Sequence, residues 1–172
     1  MNQLSDTTCS LRLRFIQNHP LFLASCQRLE ELEKTRIFCR HQIQHFLDVA
    51  RIAYILNLES GLGLGRDLIY TAALLHDIGK VQQYEEGVPH ETAGEIPASQ
   101  ILADMPEEIR FSKEEQRKIL TAIRGHRKLR DNAEPLETLL YKGDKMSRTC
   151  FACPASAQCN WSNQKKNKTI QL

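Results

Sequence analysis

Residues His76 and Asp77 stand side by side at the end of an apolar run, in the stretch Leu74-Leu75-His76-Asp77-Ile78-Gly79-Lys80. Imidazole and carboxylate together suit a borderline or hard divalent ion such as zinc, manganese or iron, and an adjacent pair can grip one ion or bridge two. The run before them, Leu68 to Leu75, is apolar almost all round, as a buried helix is. Ile69, Ala72 and His76 fall on one stripe of that helix, and Gly79 is placed to end it. The pair would then sit in the last turn, where the negative end of the helix dipole favours a cation. A core histidine beside a surface aspartate would read the same way, so the positions of the other histidines decide between the two.

Helical spacing places those histidines on buried faces. A long amphipathic helix is expected from about Ile37 to Leu58, with Phe38, Phe46, Val49, Ile52, Ala53 and Leu56 along it. His41 and His45 are four apart on it, which puts their Cβ atoms about 6 Å from one another. Gly61, Gly63 and Gly65 interrupt the pattern, and the helix bearing His76 and Asp77 begins near Arg66. Val81 to Pro89 reads as a polar loop. His90-Glu91-Thr92-Ala93-Gly94 then opens a helix broken or restarted at Pro97. A capping box at Ser112-Lys113-Glu114-Glu115 starts a helix in which Ile119, Ile123 and His126 share a stripe. The last helix, about Glu134 to Arg148, aligns Leu136, Leu140 and Asp144, and a carboxylate on an apolar stripe is costly unless something compensates its charge. A metal ion would. Of six histidines only His19 lies outside this set; it belongs to Asn18-His19-Pro20, which reads as the start of a helix with Leu21, Phe22, Leu29 and Leu32 on its apolar face.

Size and composition agree with a single domain. The chain has 172 residues, 41% hydrophobic and 26% charged, with a formal net charge of +2. That balance provides no broad electrostatic footprint for nucleic acid or an anionic membrane. No apolar run approaches a membrane span and the N-terminus opens no signal-peptide pattern, so the expectation is a cytoplasmic protein with a loose N-terminus to about Ser10. In that compartment the six cysteines would be thiols or metal ligands rather than disulfides.

The order histidine, histidine-aspartate, histidine, histidine, aspartate along an all-helical chain resembles the HD superfamily of metal-dependent phosphohydrolases, over roughly Arg36 to Arg148. The strongest motif is His76-Asp77-Ile78-Gly79-Lys80. His45-Phe46-Leu47-Asp48-Val49-Ala50 looks like the family's first-ligand helix, and Gly143-Asp144-Lys145-Met146-Ser147-Arg148 like its closing aspartate. The resemblance implies an all-α HD-domain helical bundle with His45, His76, Asp77 and Asp144 around one metal. His90 and His126 resemble the further ligands of the dinuclear branch, and His41 sits where some members place another. The expected layout is an N-terminal segment at 1–19, an HD domain at 20–149, and a Cys-containing C-terminal extension with a basic tail at 150–172. The text Arg124-Gly125-His126-Arg127-Lys128 lacks the double histidine of the cyclic-dinucleotide branch, and no Gly-Tyr-Pro follows, which argues against a cyclic di-GMP phosphodiesterase. Small stand-alone members, some acting on nucleotides or dinucleoside polyphosphates, are closer.

One or two divalent ions (manganese, iron, cobalt or zinc) would acidify a water held in line with a phosphorus atom, with Asp77 bridging the ions. Lys80 is placed to pair with a phosphate or position that water, and Arg124 and Arg127 to clamp phosphate; each could equally be a solvated cation at a helix end. The expected function is phosphohydrolysis of a nucleotide or related small phosphorylated substrate, with no membrane partner and nucleic acid disfavoured; the number of subunits is left open. The alternative is a non-catalytic nucleotide- or metal-binding sensor. Its redox response would come from Cys150, Cys153 and Cys159, whose spacing could hold zinc or an iron–sulfur cluster if Cys39 or Cys26 supplied a fourth ligand.

Overall fold

The computed structural model describes residues 10–171, and among them the chain is all-α. The polar run expected to be loose lies outside them, except for Ser10. The helices are α1 (Leu11–Gln17), α2 (Pro20–Leu32), α3 (Ile43–Glu59), α4 (Arg66–Leu75), α5 (Lys80–Glu86), α6 (His90–Ala93), α7 (Glu95–Ala103), α8 (Lys113–Gly125) and α9 (Pro135–Met146). None is long and apolar enough to cross a membrane.

Four helices close into a ring: α3 packs on α4 and α9, and α8 packs on α9 and α4. The expected stripes are its interior. Phe46, Val49 and Ala53 of α3, Ile69 and Ala72 of α4, Ile119 and Ile123 of α8, and Leu136 and Leu140 of α9 are all buried. α4 is buried on nearly every side, which explains why its sequence lacks a polar face. The α3–α9 approach depends on Gly143, where an added Cβ would lie 2.8 Å from the carbonyl oxygen of Val49 and 3.3 Å from Ala53 Cβ. α2 and α5 to α7 flank the ring on one side, and α1 packs on α4 and α2 with Ile16 fully buried.

Local signals set several ends. Ser112 and Glu115 form the reciprocal capping box that opens α8, with Glu115 N donating to Ser112 Oγ at 3.2 Å and Ser112 N to Glu115 Oε2 at 2.8 Å. Between α3 and α4 the chain reverses through Gly61 and Gly63 at φ of 61° and 70°, and the Asn57 side chain holds both polar groups of Leu64 at 3.0 Å.

Three elements differ from the periodicity reading. α3 begins at Ile43, not Ile37, because Glu33 and two arginines satisfy the preceding backbone in an irregular turn. Glu33 accepts from His41 N at 2.6 Å, while Arg36 Nε donates to Cys39 O at 2.8 Å and Arg40 Nε to Arg36 O at 3.2 Å. His41 is therefore not on the helix that carries His45. The expected polar loop after Lys80 is the helix α5; its residues are good helix formers but bury little beyond Val81, so no stripe announced it, and Gly87 ends it at φ 76°. The break expected at Pro97 falls at Gly94, and Pro97 sits in the first turn of α7, where no amide donor is required.

Candidate metal centre

Five helix ends converge at one point. His45 comes from the first turn of α3, His76 and Asp77 from the turn that follows α4, His90 from the start of α6, His126 from the end of α8, and Asp144 from the last turn of α9. Asp77 lies at the middle and is 2% exposed. Its Oδ2 lies 3.2 Å from His76 Nε2, 3.5 Å from His45 Nε2 and 4.0 Å from His41 Nε2. Its Oδ1 lies 3.1 Å from His90 Nε2 and 3.5 Å from His126 Nε2. His45 Nε2 is also 3.5 Å from Asp144 Oδ1. Two groups result, His45–His76–Asp77–Asp144 and Asp77–His90–His126, each with its ligand atoms within 4.8 Å of one another, and Asp77 belongs to both.

The far nitrogens of the rings show what the near ones are free to do. His76 Nδ1 lies 2.6 Å from the carbonyl oxygen of Ala73, and His126 Nδ1 2.5 Å from that of Ile123. His90 Nδ1 meets Gln83 Oε1 and His41 Nδ1 meets Glu33 Oε1, each at 2.5 Å, and His45 Nδ1 lies 3.3 Å from Ser147 Oγ. A carbonyl can only accept, so the Nδ1–H of His76 and of His126 donates to it and Nε2 of the neutral ring carries a lone pair. These outer partners fix ring orientation as the outer shell of a metal site does.

Buried polar atoms at the centre lack hydrogen bonds despite their short separations: His45 Nε2, His76 Nε2 and Asp77 Oδ1 have no hydrogen-bond partner. Orphaned polar atoms in a closed interior are costly, and here they point at one another. The Nε2 atoms of His90 and His126 face each other at 3.0 Å, the separation of about 3.0 Å that two nitrogens at about 2.1 Å from one ion would have at a right angle. The donor set fits one or two divalent cations.

Electrostatics agree. Burial lowers the pKa of His76, and lowers that of His90 to about 4, so both rings stay neutral. Burial would raise the carboxyl of Asp77, but the imidazoles of His76, His41, His126 and His45 around it hold it well below the usual range. Asp144 is held low against its burial by His45, Lys145 and Arg148. For His45, burial is outweighed by polar contact with Asp144 and Asp77, and its pKa rises to about 9. Without an ion, a proton on His45 supplies the positive charge that the two carboxylates require.

The centre lies at the floor of a cleft of about 1360 Å³. Lys80 and Arg127 line it. Burial lowers the pKa of the Lys80 ammonium, although Asp77 and Asp144 oppose that shift. Arg127 pairs with Glu91 at 3.1 Å. Arg124 does not line the cleft; it is mostly exposed and pairs with Glu95. Cys39, Cys150, Cys153 and Cys159 are all on the cleft wall, whereas Cys26 is not. His19 is remote, holding Leu21 N at the start of α2 and facing Asp104 at 3.2 Å.

Sequence reasoning missed Glu33. It is fully buried, accepts from the amide of His41, contacts its ring, and accepts from Tyr84 Oη at 2.7 Å. It sits four residues after the buried Leu29, the same offset that singled out Asp144, but the charged run Glu30 to Arg36 hid it. Arg148 was also missed as a site residue: it lies 3.2 Å from Asp144 Oδ2 and stacks over Trp161 at 3.8 Å.

A family model described as HD domain matches residues 43–150. An uncharacterized protein of Clostridium beijerinckii is 42% identical over 159 residues, covering 92% of this chain and 98% of its own. The crystal structure of a predicted HD superfamily hydrolase from an uncultured Thermotogales bacterium superposes with a TM-score of 0.60 at 20% identity, covering 85% of this chain and 79% of that one, a likeness of fold. With the helix ring, the His-Asp pair and the family match together, this chain belongs to the HD domain family.

Proposed function

We propose that this chain is a metal-dependent phosphohydrolase acting on a nucleotide or a related small phosphorylated substrate. The observation that carries the reading is the convergence of five Nε2 atoms on the Asp77 carboxylate, with their outer nitrogens held and His45 Nε2, His76 Nε2 and Asp77 Oδ1 left without a hydrogen-bond partner. His45, His76, Asp77 and Asp144 would hold one ion and Asp77, His90 and His126 a second, with His41 at the rim. When bound, the ions supply Lewis acidity and an acidified water as nucleophile.

The cleft supports an anionic substrate. Nine lysines and arginines line it against three aspartates, two of which are candidate ligands. Lys80 can donate to a phosphoryl oxygen beside Asp77, and its reduced affinity for a proton lets it pass one to the departing oxygen as negative charge develops there. Arg127 offers a planar fork to a second phosphate oxygen. Phe38, Tyr141 and Trp161 on the same walls provide faces on which a base can stack.

Glu33 would act through His41. Glu33→Gln keeps the volume but removes the charge that holds the His41 ring, and is expected to weaken manganese binding about 10- to 100-fold without altering helix content. Titration calorimetry of metal-free protein checks this, and unchanged affinity would remove His41 from the ligand set. The function itself is tested by chromatography of the products formed from nucleotides, dinucleoside polyphosphates and cyclic dinucleotides with manganese, iron(II), cobalt or zinc. Turnover on a nucleotide or dinucleoside polyphosphate is expected. Tight binding of the same compounds without turnover in any metal would favour the sensor.

A further inference from the structure

The C-terminal extension and the turn before α3 bring four cysteines to the lining of one cleft. Three come from a compact segment. Cys150 opens a 3-10 turn, Cys153 N donates to Cys150 O at 3.3 Å, and Ser156 N donates to Cys153 O at 3.1 Å. One side chain ties the extension together and the next ties it to the end of α9. Lys166 Nζ donates to the carbonyls of Ser156 and Cys159, each at 3.1 Å, and Asn167 Nδ2 donates to those of Lys145 and Arg148, each at 2.8 Å. The fourth cysteine, Cys39, lies in the irregular turn held by Glu33 and Arg36. Cys26 is the other candidate from the sequence and is excluded by position on α2, where burial pushes its thiol up to about 11.

We infer that Cys39, Cys150, Cys153 and Cys159 form a four-thiolate site for an iron–sulfur cluster, separate from the His/Asp centre in the same cleft. A lone zinc ion fits the spacing less well. Zinc–sulfur bonds of about 2.3 Å in a tetrahedron hold the sulfurs about 3.8 Å apart. Among the described residues, ligand atoms in groups of three or more converge within 4.8 Å at Asp77 and not at the cysteines. A cluster bonds each thiolate to a different part of a larger core and needs no such convergence. Each thiol exchanges its proton for a bond to iron, and the resulting negative charge falls among Arg36, Arg40, Arg148, Lys165 and Lys166 on the same walls.

Trp161 of the same extension lies under the Arg148 guanidinium at 3.8 Å, and Arg148 lies 3.2 Å from Asp144 Oδ2. The extension therefore touches the His/Asp centre through Arg148.

The test is anaerobic reconstitution of the full-length chain with iron, sulfide and dithiothreitol, read by visible charge-transfer absorption, acid-labile sulfide and Mössbauer spectra. The wild type, Cys26→Ser and Asp77→Ala are expected to take up a cluster, whereas Cys39→Ser and Cys153→Ser are expected to lose it while keeping wild-type helix content. Retention in Asp77→Ala separates this site from the His/Asp centre. Iron X-ray absorption on the wild type, expected to show sulfur ligation, keeps the inference testable if a serine variant fails to fold. Stoichiometric zinc on the four thiolates, no sulfur-bound metal after reconstitution, or an intact cluster in Cys39→Ser would each overturn it.

Discussion

Asp77→Ala is expected to abolish hydrolysis, with turnover falling at least about 10³-fold, while helix content stays near wild type. Asp77 is the one side chain common to both candidate ion sites, so its truncation removes a ligand from each and any bridge between them. The neighbouring histidines cannot compensate, because their outer nitrogens are tied to Ala73, Gln83, Ile123 and Glu33 and their rings cannot swing inward. The fold does not rest on Asp77. α4 is held by Ile69, Ala72 and Leu75, which face the ring interior and remain in the variant. Metal content by mass spectrometry, measured on the samples used for turnover, checks that ion binding falls with activity. Wild-type turnover in the variant with metal present would refute the mechanism.

Gly79→Ala is expected to be the most destabilising single methyl addition near the site. Gly79 has ordinary backbone angles, so conformational strain is not the reason. The reason is space. A Cβ there would run into Gly94 N and His90 O, and would sit 2.7 Å from Gly94 Cα. These are backbone atoms of the turn whose own bond, Gly94 N to His90 O at 2.8 Å, positions His90. The added methyl therefore wedges the His76–Asp77 turn away from the His90 helix. A cost of about 3 kcal/mol is expected for such overpacking, which for a chain of this size lowers Tm by about 6 to 12 °C. Because the wedge separates Asp77 from His90, binding at the Asp77–His90–His126 group should weaken more than at the other group. Calorimetry reads both, and a variant with unchanged Tm and two intact ion sites would contradict this account of the close approach.

The candidate centre was legible wherever a polar side chain broke an apolar stripe. His76 after Ile69 and Ala72, His126 after Ile119 and Ile123, and Asp144 after Leu136 and Leu140 are buried in the positions that helical spacing implies. Periodicity failed where side-chain bonds rather than burial shape the backbone. The turn from Ile37 to Gln42 is built by Glu33, Arg36 and Arg40, and its apolar residues Ile37 and Phe38 face outward, so it imitated a helix. α5 failed in the opposite sense, being helical through local propensity with almost nothing buried. The joining of Cys39 to the C-terminal cysteines was open in sequence because the two segments are more than a hundred residues apart and neither carries a pattern pointing to the other.

The most direct test of the central claim is anomalous diffraction from crystals of the full chain grown with manganese under reducing conditions. Two peaks are expected on either side of the Asp77 carboxylate, about 3.5 to 4 Å apart, one against His45, His76 and Asp144 and the other against His90 and His126. Manganese bound elsewhere, or a centre in which the histidines bond to Asp77 with no ion between them, would contradict it.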